Sequence, residues 1–194
     1  MIDMPDIDID FADRMQVLKH IPGTPARLDT GAKHNTGVYF TSIPMAHDGI
    51  ATIEHKAAEE IGYFKLDLLN VNVYEHVSNE MHLLELMKEP IWECLTDRNF
   101  FEQVIHINNH WDLAQQLPQP IDSIPRMAMF LAIIRPGKRH LAGLSWADIA
   151  KTVWIRPEDG SYFFKKSHSV AYAQLVAVHM NIICENITKE LPSD

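Results

Sequence analysis

Near its N-terminus the chain alternates strictly, Ile7, Ile9 and Phe11 being interleaved with Asp6, Asp8 and Asp10. A period of two is that of extended backbone, so the segment is expected to be a strand with one apolar and one acidic face. A short helix is expected over 12–20, then a loop through Pro22-Gly23-Thr24-Pro25, where the prolines block helical continuation. Val38-Tyr39-Phe40-Thr41 reads as a second strand. From Tyr63 to Leu69 the alternation returns, with Phe64, Leu66 and Leu68 on one face and Lys65 and Asp67 on the other.

Beyond residue 72 the apolar spacing changes to three and four. Val77, Met81, Leu84 and Met87 suit the apolar stripe of one helix, and Met127, Phe130, Leu131 and Ile134 that of another. Ser145, with Asp148 three residues on, is a candidate N-cap for a helix after Gly143, and a last helix is expected over 167–189. The expected layout is α+β, a small mixed sheet carrying the acids and packed with several helices. It is read as one domain over 1–194, strand-rich over 1–72 and mainly helical over 73–194.

Composition supports a folded domain, since 194 residues with 46% hydrophobic content can bury one core. No apolar run is long enough to cross a membrane, and the first residues lack the basic and apolar regions of a secretory signal, so a cytoplasmic protein is expected. The two cysteines, Cys94 and Cys184, are far apart in sequence and not in a paired spacing. That fits a reducing compartment, argues against a thiolate zinc site, and reads as two buried packing residues.

A net charge of −9 opposes nonspecific nucleic-acid binding through the whole-surface field. Local basic clusters, Lys165-Lys166 and Lys138-Arg139, are compatible with a negative total. Among eleven histidines, His106 and His110 stand four apart and His76 and His82 are close in sequence. No carboxylate or cysteine completes a zinc motif around them, so surface or helix-packing roles are expected. No Gly-x-Ser-x-Gly nucleophile segment occurs.

Two aspartates at i and i+2 on one strand lie roughly 6.5–7 Å apart at the backbone and project to one side. Such carboxylates can share a pair of cations, as in phosphoryl transfer with two metal ions about 3.5–4 Å apart. Magnesium suits a cluster of two or three carboxylates completed by substrate and water oxygens. Asp67 is the best placed third acid, and Lys65 would point the same way, where a cation offsets charge on cleaved phosphate. The same alternation also describes the solvated face of a charged edge strand. Spacing leaves both readings open.

Five segments, in order, resemble the palm of bacterial C-family replicative polymerases, the DNA polymerase III alpha subunit. They are Pro5-Asp6-Ile7-Asp8-Ile9-Asp10-Phe11 with Arg14 and Val17; Gly31-Ala32-Lys33-His34-Asn35-Thr36-Gly37-Val38; Gly62 to Leu69; Arg135-Pro136-Gly137; and Phe164 to Ala173. The resemblance implies metal and catalytic roles for Asp6, Asp8 and Asp67, holding two Mg2+ ions. It places Lys33, Lys65, Arg135, Lys166 and His168 near the incoming dNTP or primer-template DNA. Asp10 shares the acidic face without being one of the three ligands.

The sequence also departs from the family. The Gly-Ser-rich triphosphate-binding turn that the family places upstream of the aspartate strand is not in it, nor are most of the fingers and the clamp-binding and oligonucleotide-binding parts. Leu69-Asn70 stands where the family has Gly-Leu, and Lys165 replaces an Asn. The implied protein is a strongly reduced palm: one piece of a split polymerase, or a minimal enzyme of the kind a compact phage genome encodes. The alternative is a non-catalytic palm-derived module that docks on a replication protein or partner polymerase chain.

Overall fold

A computed structural model describes residues 7–190, and over them the protein is α+β, a four-stranded mixed sheet with helices. Asp6, expected to be a metal ligand, lies outside the described residues. The chain divides into two compact units, Met1–Val77 and Ser78–Asp194; the sequence reading placed its change of character at 72.

The first unit is built on strands β1 (Ile7–Phe11), β2 (Thr24–Arg27), β3 (Lys33–Tyr39) and β4 (Leu66–Asn70), ordered β1-β4-β3-β2. β4 runs parallel to β1 and antiparallel to β3, which pairs antiparallel with β2. Helix α1 (Arg14–His20) follows β1, its first turn capped by the Asp13 carboxylate accepting from the Met15 N–H. Helix α2 (His55–Glu60) lies between β3 and β4. Ala26, Tyr39, Ile43, Ala51 and Ala58 form a small core, with Ile53 and Tyr63 packed against it.

The loop expected through Pro25 is instead strand β2, where Pro25 stands opposite Val38. β2 is an outer strand, and a proline is tolerated where its missing N–H costs no ladder bond. The strand expected from Val38 begins at Lys33 and ends at Tyr39, so Phe40 and Thr41 lie beyond it. β4 lies between β1 and β3 and is covered on both faces, Asp67 being 8% and Leu68 1% exposed. Period two in this strand therefore does not separate a wet face from a dry one.

The second unit contains α3 (Glu80–Leu86), α4 (Arg98–Phe101), α5 (Trp111–Ala114), α6 (Ile124–Ile133), α7 (Trp146–Thr152) and α8 (Lys166–Glu190). Residues Met127–Ile133 of α6 are all buried, and α7, α8 and the segment 92–107 share the core around them. Ser145 caps α7 as expected, accepting the Asp148 N–H. The stripe Val77, Met81, Leu84 and Met87 is a correction. Met81, Leu84 and Met87 are exposed at 67%, 51% and 42%, and the helix buries Leu86 instead. Gln174 and Asn181 of α8 donate to the carbonyls of Leu86, Met87 and Lys88, which turns that side of α3 inward.

Candidate functional site

The first unit brings two of the predicted acids together. β1 and β4 pair so that Asp8 stands in register with Asp67, on neighbouring parallel strands. Strands in a sheet are roughly 4.8 Å apart and in-register side chains share a face, so both carboxylates project from the same side. Asp10 shares that face two residues on. Its carboxyl is pushed up by burial and by the charge of Asp8.

Asp67 is held by three neighbours. The Lys65 ammonium donates to Oδ2, and the Thr36 hydroxyl donates to Oδ1 at 2.7 Å. Burial alone would push this carboxyl up, but those two hydrogen bonds and the Lys65 charge outweigh it and hold it below the ordinary range. His34 Nδ1 lies 3.7 Å from Oδ1, an ion-pair distance. That nitrogen also lies 3.2 and 2.9 Å from the Thr36 and Gly37 N–H groups, which hold the ring in place. Lys65 and Thr36 stabilise the carboxylate most, and His34 adds a smaller part.

Gly37 makes this arrangement possible. A Cβ there would stand 2.6 Å from Lys65 Cδ and 3.0 Å from His34 Nδ1. Gly37→Ala is expected to displace Lys65 from Asp67 and to cost about 1–3 kcal/mol, as overpacking does. Urea unfolding reads this, and a variant as stable as the parent would show that the stem of Lys65 moves aside freely. Lys33, at the start of β3 and opposite Arg27, is exposed.

The remaining predicted residues lie in the second unit. Arg135 follows α6, its guanidinium 3.8 Å from the centre of the Phe164 ring. Its Nε is buried without an acceptor, and among the described residues no carboxylate pairs with it. Burial lowers its pKa. The Gly of Arg-Pro-Gly has a packing reason: the Gly137 N–H donates to the Tyr162 carbonyl at 3.1 Å, and a Cβ there would meet Pro157 Cγ at 2.9 Å. That close approach seats the segment carrying Phe164. An unpaired guanidinium over an aromatic ring is suited to an anionic oxygen. Lys166 opens α8 and is exposed, and His168 lies within its first turn, partly buried.

Lys138 corrects the sequence reading of a basic cluster. It is 6% exposed and its ammonium donates to the Thr152 carbonyl at 2.8 Å, so it is a structural cation. Among the described residues no group of three or more His, Cys, Asp or Glu is placed to hold a metal. No helix of the described residues is long and apolar enough to cross a membrane.

No family model, curated protein or solved structure matches this chain.

The sequence reading gave His106 a surface or helix-packing role. It adopts φ +68°, stands edge-on to Tyr172 at 4.5 Å, and keeps Nε2 buried without a partner. Burial, then the charges of Arg135 and His179, hold its pKa down from 6.5 to about 4. The unfolded chain takes up this proton near 6.5 and the folded chain only near 4, so the group leaves stability flat above 6.5 and erodes it as pH falls between those values. His106→Asn, which keeps a side chain tolerant of positive φ, is expected to flatten urea midpoints across that window. An unchanged slope would assign the acid sensitivity to other groups.

Proposed function

We propose that this chain is a reduced palm of the DNA polymerase III alpha kind, a nucleotidyltransferase that works as one piece of a split polymerase or as a minimal one. The observation that supports this best is the register of Asp8 with Asp67 on adjacent parallel strands, with Lys65 on the same carboxylate. An edge strand with solvated charges accounts for Asp8 and Asp10 alone. It does not account for a buried, ionised Asp67 beside them.

The donor set fits magnesium, being carboxylate oxygens on a rigid sheet. Asp8 and Asp67, with Asp6 outside the described residues, would hold the ions. Bound there, two Mg2+ ions would supply charge neutralisation on the phosphates and an attacking 3′ hydroxyl of lowered pKa. Lys65 keeps Asp67 ionised while the site is empty of substrate, and Thr36 fixes the orientation of its carboxylate. In the second unit, Arg135, Lys166 and His168 are the groups proposed to meet the dNTP or the primer-template, Arg135 with its unpaired guanidinium foremost. Lys33 adds an exposed cation beside the sheet. A cytoplasmic setting goes with this reading.

Primer extension dependent on added Mg2+ tests it, measured for the full chain alone and with candidate partner polymerase subunits. Asp8→Ala is expected to abolish incorporation. Extension that survives both Asp8→Ala and Asp67→Ala would sink the catalytic reading.

A second reading has an observation of its own. Met81 and Leu84 lie one turn apart on α3 and are exposed at 67% and 51%. An apolar pair of that kind favours a non-catalytic module that docks on another polymerase or replisome subunit. Retention of such a subunit by the parent chain but not by Met81→Lys/Leu84→Lys, with no extension under any condition, would favour it.

A further inference from the structure

The pairing of β3 with β4 joins Val38 to Leu66 and Gly37 to Asp67, and it ends there. Just beyond it, Arg14 Nη1 donates to one carbonyl on each strand, that of Asn35 on β3 and that of Leu68 on β4, the latter at 3.2 Å. Two carbonyls cannot satisfy one another, and a guanidinium NH2 carries two hydrogens, so this one nitrogen bridges both strands where their own ladder has stopped. The main chain of Arg14 is anchored as well, its N–H donating to Asn70 Oδ1 at the end of β4 at 2.9 Å. Arg14 therefore stands on β4 through Asn70 and reaches back along that strand to close it onto β3. The bridged carbonyls flank the pair already described. Asn35 is joined to Thr36 and Leu68 to Asp67, and the Thr36 hydroxyl donates to Asp67 Oδ1 at 2.7 Å. Lys65 and His34 are the charges beside that carboxylate.

We propose that Arg14 is a positioning residue for the Asp67 carboxylate, clamping β3 to β4 beside the Thr36–Asp67 hydrogen bond so that the hydroxyl is held on Oδ1 in one orientation. The proposal rests on the reading of Asp67 as a metal ligand, for which a carboxylate must present its remaining lone pairs in a fixed direction, and hydrogen bonds from behind set that direction. Thr36 is on β3, so its bond to Asp67 lasts only while the two strands stay closed. Lys65 lies two positions before Asp67 on the same stretch of chain, and its bond needs nothing from β3. Arg14 thus governs the direction of the carboxylate and Lys65 its charge. Without the guanidinium the strands part beyond Gly37, and Thr36 turns between rotamers while Asp67 stays ionised.

The test uses the full chain and two readouts. Three-bond NMR couplings to Thr36 Cγ2 report its side-chain rotamer with no metal or DNA present, and primer extension with Mg2+ reports the site at work. The parent is expected to hold Thr36 in one rotamer, and Arg14→Met, folded by its amide spectrum, to average it. In extension, Arg14→Met is expected to lower kcat about 10- to 100-fold and to leave KM for the dNTP nearly unchanged, the scale on which a misplaced group is felt. Thr36→Val is expected to lower kcat similarly and the double variant no further, because Arg14 acts through Thr36. A single Thr36 rotamer in folded Arg14→Met, or losses that add in the double variant, would overturn the proposal. Should Arg14→Met not fold, Arg14→Lys, whose side chain is one atom shorter, is read by the same couplings and the same criterion. A parent chain that extends no primer under any condition counts against the polymerase reading, and the rotamer measurement then decides on Arg14 by itself.

Discussion

Asp67→Asn is expected to lower magnesium-dependent primer extension roughly 100-fold or more, the scale on which losing one preorganised charged or polar group in a catalytic site is felt. Asn keeps an oxygen for the Thr36 hydroxyl, which donates at 2.7 Å, and nearly the same volume. What it removes is the charge. The same substitution leaves the Lys65 ammonium, whose side chain is 17% exposed, without its carboxylate, and a stability loss of about 2 kcal/mol is expected from that alone. The two effects separate in the double variant Lys65→Met/Asp67→Asn. Removing both charges should recover most of the stability and none of the extension. Full extension in that double variant would reduce Asp67 to a structural ion pair.

The acid behaviour of Asp67 follows the same logic. Its carboxyl is held below the ordinary value of 3.8, so the ion pair contributes fully above that value, and the contribution is lost as pH falls through the depressed folded pKa. Urea unfolding of the parent should therefore weaken below that value more steeply than unfolding of Asp67→Asn. Equal slopes would mean that the ion pair is broken in solution.

Phe130→Ala is expected to cost the second unit about 3–5 kcal/mol, the range for removing a large aromatic side chain from a closed core. Phe130 is fully buried, stands 6.4 Å edge-on from Phe101, and belongs to a helix whose residues Met127–Ile133 are all buried. With total stabilities of small domains near 5–15 kcal/mol, such a loss should strip amide protection from α6 and α8 together in hydrogen exchange. A cost below about 1 kcal/mol would mean that the neighbours collapse into the space, which a core packed on every side does not readily allow.

Much of this was written in local pattern. Ser145 and Asp148 mark the start of α7 because a cap needs only a hydroxyl and an N–H three residues away. Met127, Phe130, Leu131 and Ile134 are buried where their spacing placed them, and α8 runs to within one residue of its expected ends. Other features were not local. The stripe on α3 misled because periodicity says which residues share a face and nothing about which face meets a neighbour; the side-chain bonds from Gln174 and Asn181 decided that. Pro25 read as loop because its tolerance in a strand depends on lying at the edge of a sheet. Lys138 read as a surface cation because its acceptor, the Thr152 carbonyl, is fixed by packing. His106 read as a surface or packing histidine, but its neutrality had no local signal because it arises from burial beside Arg135.

By itself the sequence determined that β1 and β4 carry acids and that the chain beyond them is mainly helical, because alternation and capping are properties of adjacent residues. The tertiary structure decided that Asp8 and Asp67 are in register and that Lys65 and Thr36 keep Asp67 ionised. Those facts depend on strand order, register and helix packing. They are set by the balance of burial and hydrogen bonding over the whole of each unit.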